Sequence, residues 1–156
     1  MTEIVEREQR YYLWDQYGVA FALVVALIAT LGSLYYSEIR DFIPCVLCWY
    51  QRILMYPLTL IILVGLILRD ELLPWYVLPL SLTGIFVSTY HYLTQLGIIS
   101  TTDVCRAGVP CAVRYVNHFG FVTIPFMALI AFTLISATML LLWWSRRTIS
   151  AEAMEV

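Results

Sequence analysis

The chain has 156 residues, of which 62% are hydrophobic, and its mean hydropathy is +0.82. A soluble domain has ~45–50% apolar residues, and so large an excess cannot be buried in one water-soluble core of this length. The composition therefore indicates an integral membrane protein. The formal net charge is -2 and there is no lysine, so the chain lacks the basic surface that nucleic-acid binding requires.

Uncharged stretches predict four membrane-spanning helices. Three of these stretches exceed the ~20 residues that cross a bilayer as a helix. The second stretch, residues 53–68, is shorter, so its helix must begin near Trp49, which places Arg52 in the outer edge of the bilayer. The predicted spans are residues 17–36, 49–68, 74–96 and 121–144.

Short connections between these spans predict one membrane domain over residues 1–156, an all-α up-down bundle of four transmembrane helices. Both termini then share one side, and the two cysteine loops share the other. The tails and the middle loop hold five arginines against three in the cysteine loops, which predicts cytoplasmic termini and extracytoplasmic cysteine loops. No Ala-x-Ala-like cleavage motif follows the first span, so we expect it to be retained as a signal anchor.

The first cysteine loop ends in the pair Cys45-x-x-Cys48, where the second span begins. This spacing suits a reversible disulfide or half of a metal site. A structural disulfide closing so short a ring would stabilise the protein by only about 2 kcal/mol. A four-sulfur zinc site fits poorly outside the cytoplasm, where these thiols tend to oxidise. Redox chemistry is therefore favoured over both. The helix N-terminus and Arg52, one turn further on, favour a thiolate at Cys48. We expect Cys48 to react with a membrane carrier and Cys45, on the loop side, with a protein dithiol.

The second pair, Cys105 and Cys111, falls in the loop before the last span. Gly108 and Pro110 favour a turn that brings the two sulfurs together. We expect this loop to be fully exposed and flexible, and therefore able to reach a soluble partner. A structural staple is the alternative, again with a small stabilising effect.

Three further polar residues lie near the same membrane surface. Arg52 is predicted either to contact the membrane carrier or only to anchor the helix by snorkelling. His91, about 17 residues into the third span, should lie at the depth of Arg52 and Cys48, as a carrier contact or as a packed polar group. His118, just before the last span, is predicted to be an ordinary interfacial residue.

Several separated motifs resemble the DsbB/BdbC family of membrane disulfide-generating oxidoreductases, most closely its BdbC branch. They are FIPCVLCWYQR running into ILMYPL, the turn CRAGVPC and the later GFVTIPF, and the resemblance covers about residues 17–144. It implies a four-helix bundle that reoxidises a thioredoxin-fold thiol oxidase and passes two electrons to a membrane quinone. By position, Cys45 and Cys48 match the quinone-proximal pair, Cys105 and Cys111 the partner-facing pair, and Arg52 the arginine beside the quinone.

Two features depart from the better-known Gram-negative members. Gln51 stands where they carry an acidic residue, and the second cysteine pair is much closer together than theirs.

The resulting interpretation is a quinone-dependent thiol oxidase of the bacterial cytoplasmic membrane, surrounded by lipid. Its implied cofactor is menaquinone or ubiquinone, its partner is an extracytoplasmic DsbA/BdbD-like oxidase, and no metal is expected. The four cysteines are the predicted catalytic residues, with Arg52 and His91 as quinone contacts. One alternative is a vitamin-K-epoxide-reductase-like enzyme with reversed electron flow. The other is a non-enzymatic tetraspan metal-binding or assembly protein.

Overall fold

The computed structural model describes residues 2–99, 105, 109–116 and 119–154, with side chains between residues 15 and 148. His118 and the predicted turn residue Gly108 lie outside the described residues. Four α-helices account for most of the described chain: α1 Thr2–Leu34, α2 Val46–Leu68, α3 Leu73–Gln95 and α4 Ile124–Met154. A π-helical turn, Tyr35–Ile39, continues α1 towards α2. The all-α prediction is confirmed.

Each helix packs against the next one along the chain, and α4 returns to pack against α1. The core between them is apolar, with Leu58, Ile62, Phe132 and Met139 fully buried. Large apolar side chains also cover the outside of the helices, as Ile28, Ile67 and Phe86 do, each more than 60% exposed. A soluble bundle would not leave so continuous an apolar surface in water, so these faces are suited to lipid.

Three helices are long and apolar enough to cross a membrane among the residues described: Asp15–Ile39, Val46–Leu68 and Ile124–Thr148. The chain is therefore a multi-pass membrane protein. The third predicted span, α3, is not among them, although it has 23 residues and no charged side chain. Its polar residues lower its hydropathy, yet they face the bundle interior, where Ser81, Ser88 and His91 are at most 1% exposed. Membrane passage of α3 stays a prediction.

The two ends of the bundle differ in chemistry. At one end an ion pair joins Arg146 of α4 to Asp15 of α1 at 2.8 Å, and Arg146 also donates to the Glu71 carbonyl in the α2–α3 connection. All four cysteines lie at the opposite end. The structure thus separates the α2–α3 connection from the two cysteine segments, as an up-down bundle requires.

Candidate functional site

Cys45 occupies the N-cap position of α2. Its backbone is extended, with φ -71 and ψ 171, and its Sγ accepts the backbone N–H of Cys48 at 3.4 Å. A side chain at this position normally accepts a free N–H of the first helical turn, and the Cys-x-x-Cys spacing makes Cys48 the residue whose backbone supplies it. The two sulfurs are not bonded and lie 3.2 Å apart, so the pair is in its reduced form.

The cap geometry corrects the prediction that Cys48 is the more activated thiol. The N–H at the helix N-terminus belongs to Cys48 but points to the sulfur of Cys45. The hydrogen bond between the two cysteine side chains, followed by the hydrogen bond from His91, holds the pKa of Cys45 well below its usual range, although burial opposes this shift. Negative charge on the pair is therefore concentrated at Cys45.

Cys105 and Cys111 form a disulfide, with their Cα atoms 5.5 Å apart. The expectation of a fully exposed loop is wrong, because Cys105 is 2% and Cys111 0% exposed. Polar contacts with the end of α3 fold the segment inward. Gln95 donates through Nε2 to the Val113 carbonyl at 3.0 Å, and Arg114 donates through Nε to the Gln95 carbonyl at 2.9 Å.

An aromatic stack joins the two cysteine segments. The Phe42 ring lies 4.8 Å from that of Tyr115 and 5.9 Å from that of Tyr36, with the rings nearly parallel in both pairs. Such offset stacks add about 0.5–1.5 kcal/mol each beyond the area that they bury. The stack therefore holds the α1–α2 segment and the segment before α4 against each other.

The two dithiols consequently share one buried cluster. Cys45, Leu47, Cys105 and Cys111 form it, and Cys48, Tyr90 and Val109 pack around it while remaining partly exposed. Cys45 thus faces the second pair, and Cys48 lies on the more accessible side. The sequence predicted both pairs but gave no sign that they are in contact.

His91 lies between the two pairs and is 1% exposed. Its Nε2 is 3.6 Å from the Cys45 sulfur and 3.2 Å from the Cys111 carbonyl oxygen. Its Nδ1 accepts a hydrogen bond from the Gln51 side-chain amide at 3.2 Å, so Nε2 carries the proton and donates it towards sulfur and carbonyl. The depth predicted for His91 agrees with this placement.

Gln51 is the site residue that the sequence analysis did not assign. It is only 5% exposed, and its contact with His91 fixes the tautomer of the ring. Its position three residues after Cys48 places it on the same face of α2 as that cysteine, which is the signal that could have identified it.

Arg52 points towards the end of α1. Its Nε donates to the Ser33 hydroxyl at 2.9 Å and its Nη2 to the Ser33 carbonyl at 3.1 Å. Its guanidinium also lies 5.4 Å from the centroid of the half-exposed Trp49 ring. Within the described part of the chain, Nη1 meets no acceptor. The arginine is thus anchored on one side and keeps one edge available.

A small cavity of about 20 Å³ opens beside the cysteines, between α3 and the segment before α4. Cys45, Cys48, His91 and Gln95 contribute to its wall. The Gln95 Oε1 atom is buried and has no partner among the described residues. The space is enough for about one water molecule and far too small for an aromatic ring with substituents.

A helical membrane protein that brings a reduced Cys-x-x-Cys pair and a second disulfide into one cluster is a membrane thiol oxidoreductase. Comparison with known proteins specifies which one. A family model described as "Disulfide bond formation protein DsbB" matches residues 16–144, so the chain belongs to the DsbB family of disulfide bond formation proteins. The resemblance inferred from the motifs is confirmed.

Individual relatives agree with this assignment. The chain is 58% identical over 120 residues to "Disulfide bond formation protein C" of Bacillus subtilis, a match that covers 76% of this chain and 87% of the relative. It is 51% identical over 120 residues to "Probable disulfide formation protein C" of Halalkalibacterium halodurans, covering 76% and 88% respectively. The "SPbeta prophage-derived disulfide bond formation protein B" of Bacillus subtilis is 45% identical over 112 residues, covering 71% and 75%. No solved structure matches the chain.

Proposed function

We propose that this protein oxidises an extracytoplasmic thioredoxin-fold partner through Cys105–Cys111 and passes the electrons through Cys45–Cys48 to a membrane quinone. One observation carries the proposal: the Cys105–Cys111 disulfide and Cys45 belong to one buried cluster. Two cysteine pairs in one cluster are placed for thiol–disulfide exchange with each other, whereas two structural disulfides would not need to share a cluster.

The steps are thiol–disulfide exchanges. A partner thiolate attacks one sulfur of Cys105–Cys111, forming a mixed disulfide and releasing the other as thiolate; the second partner thiol then resolves it, leaving an oxidised partner and two reduced cysteines. One of these attacks the sulfur of Cys45 in an oxidised Cys45–Cys48 pair, with Cys48 as the leaving thiolate. The second outer thiol closes Cys105–Cys111 again. Two electrons have then moved to the inner pair.

Cys48 is proposed as the cysteine that reacts with the carrier. It is the more accessible member of the pair, while Cys45 faces the second disulfide. In the reduced pair the Cys48 sulfur lies 3.2 Å from that of Cys45, and Cys48 becomes a nucleophile when its thiol proton is lost. Arg52, one turn further along α2, supplies positive potential on the same face.

The residues beside Cys48 fit a quinone. Trp49 and Ile53 are 52% and 60% exposed, and together they offer a flat apolar surface at the membrane edge of α2. The available edge of the Arg52 guanidinium can donate to a carbonyl oxygen there. A bound quinone would take up the electron pair of the reduced cysteines and two protons, one from the Cys48 thiol and one from solvent, because Cys45 is already a thiolate. Because the cavity beside His91 holds about one water, the head group would lie on the lipid side of Cys48.

His91 and Gln51 are proposed to set the charge of the inner pair. The Gln51 amide keeps Nδ1 as an acceptor, so the Nε2 proton faces Cys45 and stabilises its thiolate. Direct contact between His91 and the quinone stays a prediction, since the ring is enclosed by Cys45, Gln51 and Cys111.

The partner must reach a disulfide that is almost fully buried, so its binding is expected to displace the segment around Cys111. Cys111→Ala removes the resolving thiol and should trap a covalent complex through Cys105. Recovery of that complex only through Cys45 would contradict the proposed point of entry.

Location follows from the same proposal. We place α3 across the membrane with the other three helices, the termini in the cytoplasm and the cysteine end outside the cytoplasmic membrane, where disulfides persist.

Single-turnover quinone reduction tests the electron route. The purified, fully reduced protein carries two dithiols and should reduce two quinones per chain under anaerobic conditions. A Cys105→Ala/Cys111→Ala variant keeps the inner pair and should reduce one. A Cys45→Ala/Cys48→Ala variant keeps the outer pair and should reduce none. Menaquinone and ubiquinone analogues are compared in parallel by their absorbance.

Two outcomes would overturn the proposal. Quinone reduction by the variant that keeps only Cys105 and Cys111 would reverse the order of the pairs. Reduction of the inner disulfide by hydroquinone, without the forward reaction, would favour the vitamin-K-epoxide-reductase-like direction instead.

A further inference from the structure

Three metal-ligating groups meet in the reduced site. The sulfurs of Cys45 and Cys48 and the imidazole of His91 present ligand atoms that all lie within 4.8 Å of one another. Cys45 and His91 are at most 6% exposed, so their approach is a built feature of the interior. Two thiolates and one imidazole form a donor set that Zn²⁺ prefers.

The distances suit a tetrahedral ion. With Zn–S near 2.3 Å and Zn–N near 2.0–2.1 Å, neighbouring ligand atoms lie roughly 3.8 Å apart for two sulfurs and 3.6 Å for sulfur and nitrogen. The Cys45 sulfur is 3.6 Å from His91 Nε2 and 3.2 Å from the Cys48 sulfur. The two sulfurs would have to separate by about half an ångström, and the Cys48 sulfur, within 4.8 Å of the imidazole nitrogen, would take its place in the tetrahedron by a side-chain rotation.

An independent observation points to a fourth ligand. The cavity of about 20 Å³ touches all three residues and has room for one water. Gln95 lines it too, and its Nε2 donates to the Val113 carbonyl while its Oε1 has no partner in the part of the chain that the structure describes. Gln95 is only 8% exposed, so this oxygen has lost its hydration without gaining a hydrogen bond to any described residue, which is unfavourable. A metal-bound water would donate to it.

We propose that Cys45, Cys48 and His91 bind Zn²⁺ when the Cys45–Cys48 pair is reduced, with a water in the cavity as the fourth ligand. The cysteines bind as thiolates and release any thiol protons to solvent; no electron moves. His91 binds through Nε2 after that proton has moved to Nδ1. The ion would hold the pair as a dithiolate and prevent it from forming a disulfide, so the site joins metal binding to redox state.

Gln51 would become the support of the ligating imidazole. With Nδ1 protonated, the amide has to turn so that its oxygen accepts the proton, as outer groups do in many zinc sites. A carboxylate would accept better. Gln51→Glu should therefore tighten zinc binding, and Gln51→Leu should weaken it about 10- to 100-fold.

The test uses the full-length protein in detergent, with Cys105 and Cys111 both changed to alanine so that no other thiol is present. Zn²⁺ alone is titrated against a chromophoric chelator. We expect one Zn²⁺ per chain in the reduced form and none after the inner pair is oxidised. His91→Ala should weaken binding by at least tenfold. Ser88→Ala is the matched control, because Ser88 lies one turn earlier on α3, is buried, and has no hydrogen-bond partner for its hydroxyl among the described residues.

If His91→Ala does not fold, X-ray absorption at the zinc edge can identify the ligands in the protein that keeps His91. The site with His91 intact should show two sulfurs near 2.3 Å and two lighter ligands near 2.0 Å, one with the multiple scattering of imidazole. Equal affinity of His91→Ala and Ser88→Ala, absence of imidazole scattering, or binding that survives oxidation would each overturn the proposal.

Discussion

At the scale of single residues, the geometry of Arg52 separates anchoring from reaction. Its contacts with Ser33 hold α1 to α2, while Nη1 has no acceptor among the described residues and, under the proposed function, would donate to a quinone oxygen. A hydrogen bond to a charged group contributes about 1.5–3 kcal/mol, so Arg52→Met should raise the KM for quinone roughly 10- to 100-fold. Lysine should restore only part of this, because it loses the planar donor fork. Steady-state oxidation of a reduced partner at limiting quinone measures the effect.

Ser33→Ala is the control for that experiment. It removes the hydroxyl that accepts from Arg52 Nε but keeps the charge, so it should affect stability more than the KM for quinone. A normal rate for Arg52→Met at limiting quinone would show that the arginine only anchors α2 to α1.

The charge of the inner pair is a second prediction at this scale. Because the pKa of Cys45 is lowered, its thiolate should persist as pH falls through neutrality and be lost only in the acidic range. Ultraviolet thiolate absorbance of the reduced protein, with Cys105 and Cys111 changed to alanine, follows this titration. Cys45→Ala should abolish the acidic step. Cys48→Ala should move it to higher pH, since the thiol of Cys48 is the largest stabilising contact. An acidic step that survives Cys45→Ala would show that the thiolate is not at Cys45.

At the scale of helices, the sequence predicted which helices exist better than it predicted where each one begins and ends. The second and third predicted spans, 49–68 and 74–96, nearly coincide with α2 and α3, because charged residues and turns end those helices close to the membrane. Thr2–Leu34 and Ile124–Met154 run well past their predicted spans, 17–36 and 121–144. Hydropathy marks the membrane crossing, but a helix continues into water where its residues allow.

The site shows the same division between local and long-range information. The Cys-x-x-Cys spacing and the helix start that makes Cys45 a cap are local, and both are readable from the sequence. The contacts of His91 with Cys45 and with the Cys111 carbonyl join residues that are distant in sequence, and they depend on how α3 and the following segment fold back. For that reason the predictions made from the sequence assigned the thiolate to Cys48 and expected the second cysteine pair to be exposed to solvent.

Close packing of α3 against α4 supplies a prediction for the helical scaffold. A Cβ at Gly84 would lie 2.4 Å from the Phe132 ring, which is fully buried and has no room to move away. Gly84→Ala should therefore destabilise the protein by about 1–3 kcal/mol, the usual cost of overpacking. Gly32→Ala is the matched control, since no described residue lies within 4 Å of a Cβ there. Thermal unfolding in detergent compares them, and equal melting temperatures would contradict the tight α3–α4 contact.

For the whole molecule, the separation of the two bundle ends turns orientation into a direct measurement. Ile43, in the α1–α2 segment, is 64% exposed at the cysteine end, and Leu72, in the α2–α3 connection, is 63% exposed at the opposite end. Each is changed to cysteine in a chain whose four native cysteines are alanine. With the cysteine end outside, a membrane-impermeant maleimide should label Ile43→Cys on intact cells and Leu72→Cys only after lysis.

Equal total labelling after solubilisation shows that both variants are present in equal amount and equally reactive, and their similar exposure in the structure supports that comparison. The five arginines of the tails and middle loop, against three in the cysteine loops, are a small bias for so large a consequence. The redox argument adds weight, because a disulfide-forming site on the cytoplasmic side would work against a reducing compartment. Labelling of Leu72→Cys on intact cells, with Ile43→Cys protected, would show that the orientation is the reverse of the one proposed. It would also remove the basis for an extracytoplasmic partner.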